Sequence, residues 1–222
     1  MKKLVIFDLD GTLLDTIEDL GNATNYALER CGFAQHAPES YRQMVGNGVT
    51  KLIERSLPVD ARTPDTIEQV RDVFREYYDE HLTDFTRPYD GIPELLANLR
   101  DSGVAIAVAS NKYDSAVKRL IAHFFGDYEW AAVEGHIPDY PSKPDPSIVF
   151  RILSGYPTPK AQVLYVGDSG VDMETARRAC VESVGVTWGF RPVSELRDCY
   201  ADHIIYNPAD ILPLAVEKAT DQ

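Results

Sequence analysis

The feature that most constrains the fold is a series of short, continuous apolar runs separated by helical patterns. Runs of this kind are typical of strands buried on both faces, and they occur at 4–7, 104–109, 163–166, 184–186 and 204–205. Between them, apolar residues recur at three- and four-residue spacing over 93–99, 117–125 and 148–153, as in amphipathic helices. Strands that alternate with helices form βαβ units with right-handed crossovers. The sequence therefore predicts an α/β protein with a doubly wound, Rossmann-like parallel sheet.

Residues 15–84 break this alternation, because they contain helix signals and no convincing strand. Helical spacing is found at 16–30, 38–45, 49–57 and 63–82. About 70 residues of helix are too many for a single crossover between the first two strands of the sheet. We therefore predict a Rossmann-like core of residues 1–14 and 85–222, with an α-helical domain of residues 15–84 inserted after the first strand.

The net charge of −13, from 22 Lys and Arg against 35 Asp and Glu in 222 residues, limits the kinds of partner. An acidic protein does not hold nucleic acid or an anionic membrane by bulk electrostatics, and no apolar run approaches the roughly 20 residues of a membrane span. Cys31, Cys180 and Cys199 lack metal-ligand spacing and are typical of a reduced protein. We expect a cytoplasmic monomer or small homo-oligomer that binds neither nucleic acid nor membranes.

Two carboxylates, Asp8 and Asp10, directly follow the first strand, at the sheet edge where α/β proteins bind ligands. The pair Asp10-Gly11 is by itself an ordinary turn signal. An unpaired carboxylate at Asp8, however, is costly at the end of an apolar strand. Strand alternation directs Asp8 and Asp10 to the same side. Two adjacent carboxylates suit a nucleophile and a general acid/base.

Groups suited to binding an anion occur at two further positions. Ser110 and Asn111 follow the second strand and are free to donate, because Asp114 is better placed to cap the next helix. Lys143 lies in a loop stiffened by prolines, which can hold the ammonium group as a fixed point charge. A solvated surface lysine is the commoner alternative.

Asp168 and Asp172 follow another apolar run and precede a helix. Helix capping alone explains an acidic residue at such a place. Together with Asp8 and Asp10, however, they bring four carboxylates to adjacent strand ends. Two such charges about 4 Å apart repel by roughly 4 kcal/mol at an effective dielectric constant near 20. The cluster therefore needs a cation, and an all-oxygen ligand set indicates Mg²⁺ rather than zinc.

These residues, in this order, resemble the haloacid dehalogenase superfamily, and specifically its phosphatases. The four segments that carry the resemblance are residues 8–16, Ser110-Asn111, Lys143-Pro144 and 167–172. The segments 45–49, 110–112 and 184–189 are further similar to the phosphoglycolate phosphatase branch. The chain departs from that branch at Ser110, where Thr is usual, and at Cys180, where Gly is usual.

The resemblance implies a Mg²⁺-dependent phosphomonoester hydrolase, with a small phosphorylated metabolite, 2-phosphoglycolate, as the expected substrate. Asp8 would be the nucleophile that forms an aspartyl-phosphate, and Asp10 the general acid/base. The metal set would comprise Asp8, the backbone carbonyl of Asp10, Asp168 and Asp172, with Asp172 on metal-bound water or behind the first ligands. The groups that would bind the phosphoryl oxygens are Thr12, Ser110, Asn111 and Lys143.

The inserted helical domain stands where the family has its cap, so it is expected to set substrate specificity. With 14 acidic and 7 basic residues, it must meet an anionic substrate with individually placed cations. Arg42, Lys51 and Arg55 flank the turn at 46–48 and are candidates for a substrate carboxylate. Each is equally well explained as a surface charge that pairs with Glu39 or Glu54.

Three alternatives to a phosphatase stay open at this level. A phosphosugar mutase resembling beta-phosphoglucomutase, or a pyrophosphatase, would use the same superfamily motifs. A receiver-like signalling domain, of a different class, also has a phosphorylated Asp, Mg²⁺ and Lys on a parallel sheet. Asp10 argues against the signalling domain, because a stable phospho-signal has no use for a built-in hydrolytic base.

Overall fold

The computed structural model describes residues 1–216 and shows strands that alternate with helices. The strands are β1 (Leu4–Phe7), β2 (Leu14–Asp15), β3 (Arg87–Pro88), β4 (Ala105–Tyr113), β5 (Ala132–His136), β6 (Val163–Gly167), β7 (Glu182–Val186) and β8 (His203–Ile205). The helices are α1 (Ile17–Arg30), α2 (Tyr41–Met44), α3 (Val49–Ser56), α4 (Pro64–His81), α5 (Ile92–Asp101), α6 (Asp114–Phe125), α7 (Ser147–Gly155), α8 (Gly170–Ala179), α9 (Val193–Asp198) and α10 (Ile211–Val216). Short 3₁₀ helices lie at Pro38–Ser40, Val59–Ala61, Lys160–Gln162 and Pro208–Asp210.

Six strands form one parallel sheet in the order β5-β4-β1-β6-β7-β8. β1 lies near the middle, with Leu4 opposite Ala105 of β4 on one side and Val163 of β6 on the other. The chain winds outward from β1 in both directions, so the order reverses at β1, which is where ligands bind in open α/β sheets. The predicted doubly wound α/β fold is confirmed.

The buried strand β1 explains why the apolar runs are continuous. All four of its residues are fully buried. Leu4 and Ile6 belong to an apolar cluster that includes α7, and Val5 and Phe7 to a larger one that includes α5 and α6. Because alternate residues of a strand point to opposite faces, helices on both faces require apolar residues at every position.

Two strands differ from the sequence prediction. The edge strand β5 is missing from it, because most of its residues are only half-buried and Glu134 interrupts its apolar run. β4 continues past its predicted end to Tyr113, with an irregular register after Ala109. Residues 110–112 therefore belong to the last part of the strand and do not form a loop after it.

Between β2 and β3 the described chain contains helices and no strand. The long helix α4 packs along α1 and buries Val70, Phe74 and Tyr78. Its first residue is a proline, and the Thr63 side chain before it accepts a hydrogen bond from Thr66 N at 3.2 Å. Both features are favoured at helix starts. The division of the chain into separate domains at 14/15 and 84/85 stays a prediction.

The two crossings between the sheet and this helical stretch are fastened to each other. β2 and β3 pair as an antiparallel ribbon of two residues each, called here the hinge ribbon (residues 14–15 and 87–88). Beside it, the buried Asp19 carboxylate accepts hydrogen bonds from Phe85 N, Thr86 N and Thr86 Oγ1 at 2.7 to 3.1 Å. The outgoing and returning chain segments are therefore held together where they leave the sheet.

All three cysteines are free, with Cys180 exposed and Cys31 and Cys199 half-buried. Within residues 1–216, no helix combines the length and the apolarity that crossing a membrane requires.

Candidate active site

Three adjacent strands bring the polar residues of the predicted site to one edge of the sheet. β1 leads into Asp8 and Asp10, β4 carries Ser110 near its end, and β6 leads into Asp168. The Asp8 N–H still donates to Val166 O at 2.8 Å, as the ladder between β1 and β6 continues past the strand. The carboxyl ends of central parallel strands therefore meet where the sequence placed the chemistry.

The centre of the site is a cluster of three buried carboxylates. Asp8, Asp168 and Asp172 each offer an oxygen, and these oxygens lie within 4.8 Å of one another. Burial, opposed by Lys143 and supported by the charge of Asp172, raises the pKa of Asp8 to about 7. Burial and the charges of Asp172 and Asp8 raise the pKa of Asp168 well above its ordinary value. These raised pKa values indicate that the three carboxylates carry too little compensating positive charge. The cluster therefore suits a cation that prefers oxygen ligands.

Lys143 supplies a cation within this group. Its ammonium nitrogen donates to Asp8 Oδ1 and Asp172 Oδ1, both at 2.7 Å, and to Ala109 O at 2.9 Å. Burial lowers its pKa, but the charges of Asp172 and Asp8 outweigh this and hold the pKa well above its ordinary value. Lys143 therefore stays charged, and its side chain is only 2% exposed.

Asn111 holds the loop that carries Lys143. Its Oδ1 accepts from Lys143 N at 2.8 Å, and its Nδ2 lies 3.1 Å from Lys143 O and 3.2 Å from Gly46 O. Gly46 belongs to the helical stretch, so one amide joins the sheet, the lysine loop and that stretch. Asn111 was predicted to bind phosphoryl oxygens, and the structure places its amide on backbone groups.

The carboxylates behind the cluster are held by a helix start and by a tight turn. Asp172 Oδ2 accepts from Ser169 N at 3.2 Å and from Ser169 Oγ at 2.6 Å, which forms a capping box at the start of α8. Asp168 Oδ2 accepts from Phe190 N at 2.6 Å. A Cβ atom at Gly11 or at Gly189 would collide with the Asp168 carboxylate. The Asp168 carboxylate is therefore enclosed by two glycines, called here the glycine cradle, at positions where any larger residue would collide with it.

The Asp10 carboxylate lies outside the three-carboxylate cluster and bonds other groups. Its Oδ1 accepts from Thr16 Oγ1 at 2.7 Å, and its two oxygens lie 2.9 and 3.0 Å from Lys112 Nζ. The part predicted for Asp10 in metal binding concerns its backbone carbonyl, so the side chain is free for another role. A carboxyl beside the cluster, and turned toward the helical stretch, can exchange a proton with a group bound between them.

Two buried hydroxyls face no competing acceptor among the described residues. Thr12 Oγ1 has no hydrogen-bond partner within residues 1–216. Ser110 Oγ accepts from Lys112 N at 3.2 Å and keeps its own hydrogen to donate. Thr12 and Ser110 are 0% and 2% exposed. Ser110 lines the cleft and can donate its free hydrogen to a bound anion. The predicted role of Thr12 is supported only by its unpaired hydroxyl, which costs free energy.

A cleft separates the sheet edge from the helical stretch. Its empty volume, open mouth included, is about 500 Å³. The core side contributes Asp8, Asp10, Ser110, Asn111, Lys112 and Tyr113, and the helical side contributes Leu20, Val45, Gly46, Gly48, Val49, Leu52, Phe74 and Tyr78. The core side, called here the floor, is polar, and the helical side, called here the roof, is mainly apolar. Such a lining is expected for a site that binds one small anion and excludes water from it.

The predicted substrate cations of the helical stretch do not line this cleft. Lys51 is 55% exposed and pairs with Glu54 at 2.5 Å. Arg42 Nη1 lies 3.4 Å from Gly189 O. Arg55 donates to Met44 O and to Asn47 Oδ1, both at 2.7 Å. Their assignment to a substrate carboxylate remains a prediction that the contacts do not support.

The structure adds three residues, Lys112, Tyr78 and Arg191, to which the sequence assigned no role in the site. Lys112 and Tyr78 line the cleft. Arg191 donates to Gln43 O at 3.0 Å and to Val45 O at 2.7 Å, so it joins the loop after β7 to the helical stretch. Lys112 directly follows Ser110-Asn111, and this position is the one signal that could have identified it. Nothing in the periodicity distinguishes Tyr78 from its apolar neighbours on α4.

Comparison with known proteins relates most of the chain to one family. Residues 5–186 match the family described as haloacid dehalogenase-like hydrolase. A phosphoglycolate phosphatase of Pseudomonas fluorescens (strain Pf0-1) is 35% identical, over 88% of this chain and 74% of that protein. A phosphoglycolate phosphatase of Aquifex aeolicus (strain VF5) is 29% identical over 96% of each chain.

Solved structures agree with this relationship. The crystal structure of a protein described as a phosphoglycolate phosphatase from Lactobacillus delbrueckii subsp. bulgaricus has a TM-score of 0.91 at 31% identity. The match covers 98% of this chain and all of the other. CbbY from Rhodobacter sphaeroides, with phosphate bound, has a TM-score of 0.80 at 22% identity, over 95% of this chain and 96% of that one. The second likeness concerns the fold alone. The chain belongs to the haloacid dehalogenase-like hydrolase family, and it is an enzyme of the phosphatase branch that resembles the phosphoglycolate phosphatases.

Proposed function

We propose that this enzyme is a Mg²⁺-dependent phosphomonoester hydrolase that acts on 2-phosphoglycolate through an aspartyl-phosphate. The observation that carries the proposal is the placement of Asp8. Its carboxylate is held by Lys143 at 2.7 Å, between two other buried carboxylates and at the floor of a small cleft. The proposed nucleophile Asp8, the fixed cation Lys143 and the carboxylates that could bind a metal are thus in direct contact or close to one another.

In the proposed reaction an Asp8 oxygen attacks phosphorus, and the bond from phosphorus to the ester oxygen breaks. Asp10 gives a proton to the departing alkoxide, which leaves as glycolate. Asp10 then takes a proton from water, and the resulting hydroxide attacks the aspartyl-phosphate to release inorganic phosphate and restore Asp8. Lys143, Ser110 and Thr12 stabilise the charge on the phosphoryl oxygens.

The donor set fits Mg²⁺. Asp8 and Asp168, with the backbone carbonyl of Asp10, would hold the ion, and Asp172 would act through a bound water and through Lys143. The bound ion would neutralise the negative charges that a carboxylate and a phosphate dianion bring together. The glycine cradle around Asp168 supports this assignment, since it fixes the carboxylate without using its second oxygen.

The choice of 2-phosphoglycolate is supported by two considerations. Relatives that carry this name are similar over most of the chain. The cleft is small, and the helical residues that line it are mainly apolar, which suits a substrate with few polar groups beyond the phosphate. Membership of a hydrolase family argues against a receiver-like signalling domain. A phosphosugar mutase and a pyrophosphatase remain outcomes of the test.

The test is the rate of phosphate release from a panel of phosphate compounds, with and without Mg²⁺. We expect 2-phosphoglycolate to give kcat/KM at least about tenfold above glucose 1-phosphate, a nucleoside 5′-monophosphate and pyrophosphate, which corresponds to about 1.4 kcal/mol. Interconversion of sugar phosphates would show a mutase. Lasting phosphorylation of Asp8, without release from any compound, would overturn the hydrolase proposal.

Mg²⁺ is expected to stabilise the protein more at alkaline than at acid pH. Burial raises the pKa of Asp8 from 3.8 to about 7, and that of Asp168 shifts in the same direction. Since the folded state binds these protons more tightly than the unfolded state, the metal-free protein loses stability as pH rises from about 4 to 7. A cation relieves this loss. Thermal unfolding should show a larger Mg²⁺-dependent rise of Tm at pH 8 than at pH 5.5, and an equal rise at both would contradict the assignment.

A further inference from the structure

The lining of the cleft includes the cation Lys112. Of the described residues that line the cleft, Lys112 alone carries a positive charge. Its side chain is 4% exposed, and its ammonium lies 2.9 and 3.0 Å from the two Asp10 oxygens. An ammonium has three donors, and Asp10 accepts at most two of them. Lys112 can therefore bind a second anion while it still contacts Asp10.

A tyrosine ring, whose hydroxyl has no hydrogen-bond partner within residues 1–216, lies beside this cation. The ring centroid of Tyr78 is 4.9 Å from Lys112 Nζ. Tyr78 is fully buried and lines the cleft, and its hydroxyl has no hydrogen-bond partner within residues 1–216. Burial, together with the charges of Asp10, Asp19 and Asp79, raises the pKa of Tyr78 well above its ordinary value. The hydroxyl is therefore protonated and available to donate.

Leaving this hydroxyl unpaired costs roughly 1 to 3 kcal/mol, and a ligand in the cleft would remove that cost. The surrounding roof, which includes Leu52 and Phe74, is apolar and excludes the water that would otherwise compete. A phosphate held at Asp8 directs its leaving group toward Asp10, and hence toward Lys112. An ammonium and a hydroxyl donor at the leaving-group end suit a carboxylate.

We propose that Lys112 and Tyr78 form a carboxylate subsite, so that the enzyme selects small phosphomonoesters whose leaving group carries a carboxylate. The proposal rests on the phosphatase activity proposed above and names the groups that choose the substrate. It replaces the outward-facing Arg42 and Lys51 with residues that line the cleft. Through its contact with Asp10, Lys112 also positions the general acid.

The test compares 2-phosphoglycolate with 2-hydroxyethyl phosphate, which has similar size and no carboxylate. Lys112→Met should lower kcat/KM for 2-phosphoglycolate by about 100-fold and lower the ratio between the two esters at least tenfold, as expected for a charged hydrogen bond. Tyr78→Phe should raise KM for 2-phosphoglycolate about tenfold, with kcat and the second ester little changed. Lys118→Met, at a lysine 60% exposed and paired with Asp114, is the matched control and should change neither ester.

Binding without turnover gives a second readout. In the Asp8→Asn background, calorimetric titration with 2-phosphoglycolate should show weaker binding when Tyr78→Phe is added, and no change with Lys118→Met. If Lys112→Met does not fold, Tyr78→Phe alone carries the test. An equal loss on both esters in Lys112→Met, with no KM effect in Tyr78→Phe, would overturn the subsite. A wild-type enzyme that hydrolyses neither ester would instead overturn the proposed function.

Discussion

Replacing Asp8 with asparagine is expected to lower kcat for phosphate release by roughly 10⁴-fold or more, while the protein remains folded. Asparagine has the same shape, and its oxygen can still accept from Lys143, but its amide cannot form the aspartyl-phosphate. The variant also removes one of the three clustered carboxylates. Burial of Asp8 raises its own pKa to about 7, so its charged form destabilises the folded protein. We therefore expect the metal-free Asp8→Asn protein to unfold at an equal or higher temperature than wild type at pH 8.

The combination of lost activity and retained stability separates a nucleophile from a structural residue. Phosphate release and thermal unfolding are measured on the same preparations. Asp101→Asn, at a carboxylate 67% exposed that pairs with Arg100, is the matched control and should leave both unchanged. Activity of Asp8→Asn within tenfold of wild type would show that another group attacks phosphorus.

Replacing Lys143 with methionine is expected to lower the free energy of unfolding of the metal-free protein by about 3 to 5 kcal/mol at pH 8. The ammonium bonds two buried carboxylates, Asp8 and Asp172, and its removal leaves both without a cation. The loss should be smaller at pH 5, because Asp8, whose pKa is already raised to about 7, is then neutral. Urea unfolding at the two pH values measures the difference.

Two further variants make this expectation specific. Adding Asp172→Asn to Lys143→Met should restore part of the stability, because one unpaired charge is removed, but none of the activity. Lys118→Met should unfold like wild type. A loss below about 1 kcal/mol for Lys143→Met at pH 8 would show that solvent or relaxation already neutralises the carboxylates.

The sheet and the floor of the cleft were predictable because their signals are local. An apolar run such as 4–7 is a buried strand wherever helices cover both faces. A carboxylate directly after it, such as Asp8, must lie at the ligand-binding edge. The pairing of Lys143 with Asp8 and Asp172 links residues 135 and 29 positions apart. Strand order alone placed Asp8 and Asp172 near each other, and only the resemblance to a family added Lys143 to them before the structure did.

The leaving-group end of the cleft was not predictable in the same way. Lys51 and Lys112 are both lysines close in sequence to a predicted site segment, and no periodicity tells which of them is buried. The structure shows Lys51 at the surface with Glu54, and Lys112 under the ring of Tyr78. Which residues form a roof depends on how α4 lies over the sheet edge, and this packing is set by contacts between distant parts of the chain. The edge strand β5 was missed because a half-covered strand needs fewer apolar residues.

The hinge ribbon is the place about which the helical stretch would turn if it moved relative to the sheet. Its two strands are paired, and Asp19 ties the segment at 85–86 to the start of α1, so the two crossings cannot slide past each other. Rotation about such a ribbon displaces each point in proportion to its distance from the axis. Tyr78 lies in the last turn of α4, close along the chain to the ribbon, whereas the turn at 59–61 between α3 and α4 lies far from it along the chain. The Tyr78 end of the cleft is therefore tied closely to the ribbon by the chain itself, whereas the turn at 59–61 is not.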